Sequence, residues 1–184
     1  MSAAPGTRDV PRVLVAGLGN IFLGDDGFGV EAVRRLAQRA LPPGVETADI
    51  GVRGVHLAYQ LLDGYHTVVL LDATARGGAP GTVYLIDEAG PGVGAPTGSV
   101  PIDGHRMSPD SVLALLGALC AGTGGTHPGR IVVVGCEPAC LDEGIGLSEP
   151  VAASVDEAVR VVLGVLAETA PGPARTARGG GTGA

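Results

Sequence analysis

Asp26, Asp72 and His105 are the side chains of this sequence whose types and positions point most directly to chemistry. Asp26 stands in GLGNIFLGDDGFG, Asp72 ends the apolar run TVVLLD, and His105 lies just ahead of the helix start in HRMSPDSV. Each closes a segment that reads as a strand end or a helix beginning. Strands of an open α/β sheet deliver the residues at their carboxyl ends into one crevice. Two carboxylates and one imidazole meeting there would form an oxygen and nitrogen ligand set for a divalent transition metal. Such a set points to metal-dependent hydrolysis rather than to nucleotide binding.

The elements that must position these residues alternate along the chain. Apolar runs predict strands over 12–16, 45–48, 67–71, 82–86 and 131–134, the third apolar throughout and so buried on both faces. Val30, Val33, Leu36 and Ala40 recur at helical spacing before Pro42 and Pro43 stop the pattern, and Val55, Ala58 and Leu62 mark a second helix. Ser108-Pro109-Asp110 joins a capping hydroxyl, a proline at the first helical position and a carboxylate at the positive dipole end. Ser148-Glu149-Pro150 repeats that start before a long helix faced by Val151, Val155, Ala158, Val162 and Val165. The glycine-rich stretch 88–105 reads as a long functional connection. The pattern predicts an α/β three-layer sandwich, a five-stranded, mostly parallel sheet flanked by helices, of the phosphorylase/hydrolase-like kind.

At 184 residues the chain suits a single catalytic domain over 11–170, preceded by a flexible N-terminus over 1–10. Glycine and proline are a quarter of the sequence and concentrate in 171–184, which lacks apolar periodicity and reads as a disordered tail. Charged residues are only 17%, aromatics 3% and Trp absent, so Val, Leu and Ala must fill the core. A net charge of −7 disfavours nucleic acid as the main partner. Three cysteines make no disulfide framework, and with no secretory leader or membrane-length apolar run the expected setting is the reducing cytoplasm.

Gly17-Leu18-Gly19-Asn20 after the first strand invites a dinucleotide-binding reading. That fingerprint needs a third glycine where this chain has Phe22, and Asp25 and Asp26 put negative charge where a pyrophosphate would lie. The reading fails. The ordered set of motifs resembles instead the hydrogenase maturation proteases. The set comprises V-x-G-x-G-N-x-x-x-x-D-D/E-G-x-G over 15–29, Asp72 at a strand end, and His105 before a capped helix. It continues with G-x-x-P at Gly135 to Pro138 and G-L-S at Gly146 to Ser148. The likeness runs in order from about Val13 to about Val165.

The resemblance implies an endopeptidase that removes a C-terminal extension from the large-subunit precursor of a [NiFe] hydrogenase after nickel insertion. It carries the family's catalytic, metal-contacting positions onto Asp26, Asp72 and His105, the first being Glu in some relatives. It also implies supporting or substrate-binding places for Gly19, Asn20 and Asp49 in the cleft. The implied cofactor is a divalent transition metal, nickel, that the substrate itself could supply. The implied partner is the precursor, with neither nucleic acid nor membrane, and the implied state is a monomer.

Each residue also has a plainer reading. Asp25 and Asp26 precede a helix, where carboxylates cap amides, and Asp25 is assigned to that role. Asp72 is harder to dismiss, because an unpaired charge ending a buried strand is costly. The residues alone do not choose among His56, His66, His105 and His127; the resemblance selects His105. Cys136 falls just past the fifth strand and Cys140 follows it, so a thiol nucleophile, soft metal ligands or a redox pair are alternatives. Cys120 reads as a small core residue. Two other functions compete: a metal-sensing assembly chaperone without catalysis, and, distantly, a peptidyl-tRNA hydrolase. The latter family also opens with a strand and GLGN but has a His-Asn pair that this sequence lacks.

Overall fold

Two helices cover each face of a single sheet in the computed structural model, which describes residues 10–89 and 108–169. The strands are β1 (Val13–Leu18), β2 (Val45–Gly51), β3 (Thr67–Ala73), β4 (Val83–Ala89) and β5 (Arg130–Cys136). They lie in the order β2-β1-β3-β5-β4. All pairings are parallel except that of β4, which runs antiparallel to β5 at one edge. The helices are α1 (Phe28–Ala37), α2 (Gly54–Gln60), α3 (Pro109–Thr123) and α4 (Glu149–Thr169). The expected three-layer α/β architecture is the observed one.

Alternation along the strands divides the core. Val13, Val15, Val69, Leu71, Val132 and Val134 face α1 and α4, whereas Leu14, Ala16, Val68, Leu70 and Val133 face α2 and α3. Full burial of each such Leu or Val contributes about 1.5–3 kcal/mol, so the central strands anchor the sheet. The start of α1 wedges between β1 and β3 because Gly29 has no side chain: a Cβ there would overlap the carbonyl oxygens of Leu18 and Leu71. That contact fixes the turn preceding α1 against the carboxyl ends of the two central strands. α3 begins as its sequence demands, with Pro109 first and Ser108 Oγ accepting the amide of Ser111 at 3.4 Å.

The strands extend further at their carboxyl ends than the apolar runs suggest, and α1 stops at Ala37 rather than Ala40. Ladder pairing accounts for the first difference: Gly17 opposes Asp49 and Asp72 opposes Gly135, so polar residues are held in extended form by their neighbours. α1 ends with Gln38 as its cap, its amide bonded to the carbonyls of Arg35 and Leu36, four residues before the proline pair. The expected flexible N-terminus but for Val10, most of the 88–105 connection with His105, and the expected tail lie outside the described residues. Among the described residues no helix is long and apolar enough to cross a membrane.

Candidate active site

The loop after β1 is shaped around Asp26. Gly19 has φ 118°, a conformation that favours glycine, and a Cβ there would overlap the carbonyl oxygen of Asp26. The amide of Asn20 then donates to Asp26 Oδ2 at 2.7 Å, while Asn20 Oδ1 accepts from the amide of Phe22 at 3.0 Å. Asp26 itself sits in a 3₁₀ turn, Gly24–Gly27, directly ahead of α1. Gly19 and Asn20 therefore serve as supports that aim one carboxylate.

Asp72 is 8% exposed and alternates with Leu71, so it belongs to the sheet face covered by α2 and α3. Burial pushes its carboxyl well above the ordinary range, the negative charge of Asp26 pushes it further, and the amide of Ala73 works against both. Asp110, in the first turn of α3, adds a smaller upward push. A negative charge that raises the proton affinity of a buried carboxyl acts on it through a poorly solvated place. The 3₁₀ turn that carries Asp26 packs against β3, which carries Asp72 near its carboxyl end. Sequence reading gave Asp110 only a helix-dipole role and missed its field at Asp72.

His105 lies outside the described residues, and the other histidines stand elsewhere. His66 and His127 precede β3 and β5, at the opposite edge, and His66 Nδ1 lies 2.9 Å from Thr67 Oγ1. His56 is exposed on α2. Among the described residues no three His, Cys, Asp or Glu are placed to hold a metal ion.

Asp25 is fully buried and does not cap its own helix. Its carboxylate accepts the amides of Ala139 at 2.8 Å, Cys140 at 3.0 Å and Ser148 at 2.6 Å, together with the Ser148 hydroxyl at 2.9 Å. Burial alone would raise its pKa, but those donors outweigh it and hold the carboxyl below the ordinary range. The expected capping of the following helix is therefore not what Asp25 does: the amides it binds belong to the segment joining β5 to α4, which reaches it where its own helix start does not. The G-x-x-P and G-L-S motifs are therefore spatial partners of the DD motif.

The family model described as hydrogenase maturation protease (HycI) matches residues 30–165. This chain belongs to the hydrogenase maturation protease family. It is 32% identical to the hydrogenase 2 maturation protease of Escherichia coli over 160 residues, 86% of this chain and 92% of that one. It is 35% identical to the hydrogenase expression/formation protein HoxM of Azotobacter vinelandii, across 86% of this chain and 73% of that one. The solved structure of the hydrogenase maturating endopeptidase HybD from E. coli superposes with a TM-score of 0.69 at 32% identity, over 86% of this chain and 93% of that one. The protease is thus a hydrolase of peptide bonds, which sets aside the tRNA-hydrolase reading.

Other groups at this edge of the protease are structural in their contacts. Asp49 Oδ2 accepts from Arg34 Nε at 2.9 Å and pairs with Arg34 Nη2 at 2.8 Å, tying the end of β2 to α1. Cys136 packs in the α1/α4 core, on the sheet face opposite Asp72, with Sγ 3.2 Å from Ser154 Oγ. Burial pushes its thiol up, the reverse of what a nucleophile needs. Cys140 is exposed beside Asp142, and all three cysteines are free. Glu137, missed in the sequence, is buried and accepts the amides of Arg76 at 2.7 Å and Gly77 at 3.1 Å and the Tyr84 hydroxyl at 2.8 Å. It moors the β3–β4 connection beside the cleft. The only signal is a carboxylate between Cys136 and Pro138.

Proposed function

We propose that the protease cuts the C-terminal extension from the large-subunit precursor of a [NiFe] hydrogenase after nickel has been inserted. The observation that carries this reading is that the turn bearing Asp26 packs against β3 beside the buried carboxyl of Asp72. Two like charges in a poorly solvated cleft, with Asp110 nearby, form an acidic oxygen donor set that a divalent cation would neutralise. The donor chemistry fits a metal: Asp26, Asp72 and His105 would hold it, as a nickel ion carried by the precursor. When bound, such an ion supplies polarisation of the scissile carbonyl and a more acidic water. Asn20 holds Asp26 Oδ2, and among the described residues Oδ1 takes no protein donor, which leaves it for ligation. The protease acts, on this reading, as a cytoplasmic monomer.

Incubation with nickel-loaded precursor, followed by intact-mass measurement, tests the proposal. A shortened large subunit is expected from the wild type and none from Asp26→Ala, Asp72→Ala or His105→Ala. Binding without any change in precursor mass would favour the chaperone reading instead.

A further inference from the structure

The outer flank of the Asp26 turn carries apolar surface that the chemistry above does not use. Ile21 is 37% exposed, Phe22 60% and Ile145 83%. These residues stand on two loops stitched together by their backbones: the amide of Gly144 donates to the carbonyl of Phe22 at 2.9 Å, and that of Gly24 to Gly144 at 3.0 Å. Asn20 fixes the first loop from within, and Asp25 holds the second through Ala139, Cys140 and Ser148. The apolar side chains are therefore displayed on an anchored frame. Beside them runs a groove of about 320 Å³ between α1 and α4, with Ile21, Ile145, Leu147 and Val155 among its apolar lining and Arg34, Arg35 and Glu31 as its charged lining. Exposed apolar side chains gathered on an anchored frame beside a groove are surface of the kind that interaction sites use.

We propose that this groove docks the hydrogenase large-subunit precursor by seating an apolar side chain flanked by a carboxylate. The inference rests on the proteolytic reading above and adds a contact outside the cleavage centre. Position favours this occupant: Gly24 and Gly27 line the groove, and Asp26 lies on the same turn. Hydrogen-bonding capacity favours it too. Arg34 and Arg35 bring guanidinium donors to the groove beside its apolar lining. Arg34 is engaged by Asp49 and Arg35 by Asp156, but a guanidinium has five N–H donors and each keeps some for a further carboxylate. Size argues against a second copy as the occupant. The three exposed side chains present on the order of 350 Å², under half of the roughly 800 Å² per partner of a standard stable interface. A patch of that size suits a local anchor within a larger contact.

The test compares wild type with the double variant Phe22→Ser/Ile145→Ser on immobilised nickel-loaded precursor, with cleavage kinetics and melting temperature in parallel. Val10→Ser, at the opposite edge of the sheet, serves as the control. The double variant is expected to raise Kd and KM by about tenfold or more, with kcat within about twofold and the melting temperature unchanged. The control should bind as wild type does. Binding by the double variant within about twofold of wild type would overturn the proposal. So would a wild-type dimer in sedimentation that the double variant dissolves, because the groove would then belong to a second copy. Should the wild type bind precursor without cutting it, the proteolytic reading fails while the Kd comparison still decides the docking site.

Discussion

Asp25 Oδ1 accepts the amide of Ser148 at 2.6 Å, a bond between residues 123 apart in sequence that joins the turn before α1 to the start of α4. The neighbouring Asp26 is therefore positioned by the far end of the chain as well as by Asn20. Replacing Asp25 with Ala removes the buried carboxylate that accepts three amides and a hydroxyl from exposed or half-buried residues. A hydrogen bond to a charged group contributes about 1.5–3 kcal/mol and water serves some of the freed donors, so the variant should lose about 2 kcal/mol or more in urea denaturation. Asp25→Asn keeps one acceptor oxygen and should lose less. A loss below about 1 kcal/mol for the Ala variant would mean that the clamp does not stabilise the fold.

Glu137 makes stability depend on acidity. The Arg76 amide holds its carboxyl below the ordinary range, burial opposes this, and the Tyr84 hydroxyl and the Gly77 and Gly78 amides assist. A folded-state pKa below the unfolded one gives stability that is fully present above the unfolded value, roughly 4.3, and is lost as pH falls through the lower folded value. Wild type should therefore be more stable than Glu137→Gln at pH 6–7, and the gap should close as the pH drops below about 4. Thermal melts across that range check it; a gap that does not change with pH would contradict the mooring.

Cys136 faces α4 while Asp72 faces α2 and α3, so the thiol is not part of the cleft. Cys136→Ser should cleave precursor at a rate within about threefold of wild type while losing about 1 kcal/mol of stability from the buried hydroxyl. Steady-state cleavage assays and urea melts give both numbers. Loss of cutting in a folded Cys136→Ser variant would restore the thiol nucleophile.

The sheet, its helices and the cap at Ser108 were legible because apolar runs, proline and capping residues act locally. Strand ends were less legible, since Asp49 and Asp72 are kept extended by pairing with Gly17 and Gly135, which no local pattern encodes. The convergence of Asp26 and Asp72 could be anticipated from the rule that parallel strands point their carboxyl ends into one crevice. The partners of Asp25 and Glu137 could not, because each gathers amides from segments distant in sequence. Spacing also could not show that Cys136 turns away from the cleft; that depends on where β5 begins its alternation.

Cleavage of nickel-loaded precursor by a folded Asp72→Ala variant tests the central claim most directly. The account predicts a melting temperature at or above that of wild type, because a buried carboxyl with a raised pKa is relieved, together with a fall in cleavage rate of at least about a thousandfold. A variant that melts normally and still shortens the precursor at the wild-type rate would contradict it.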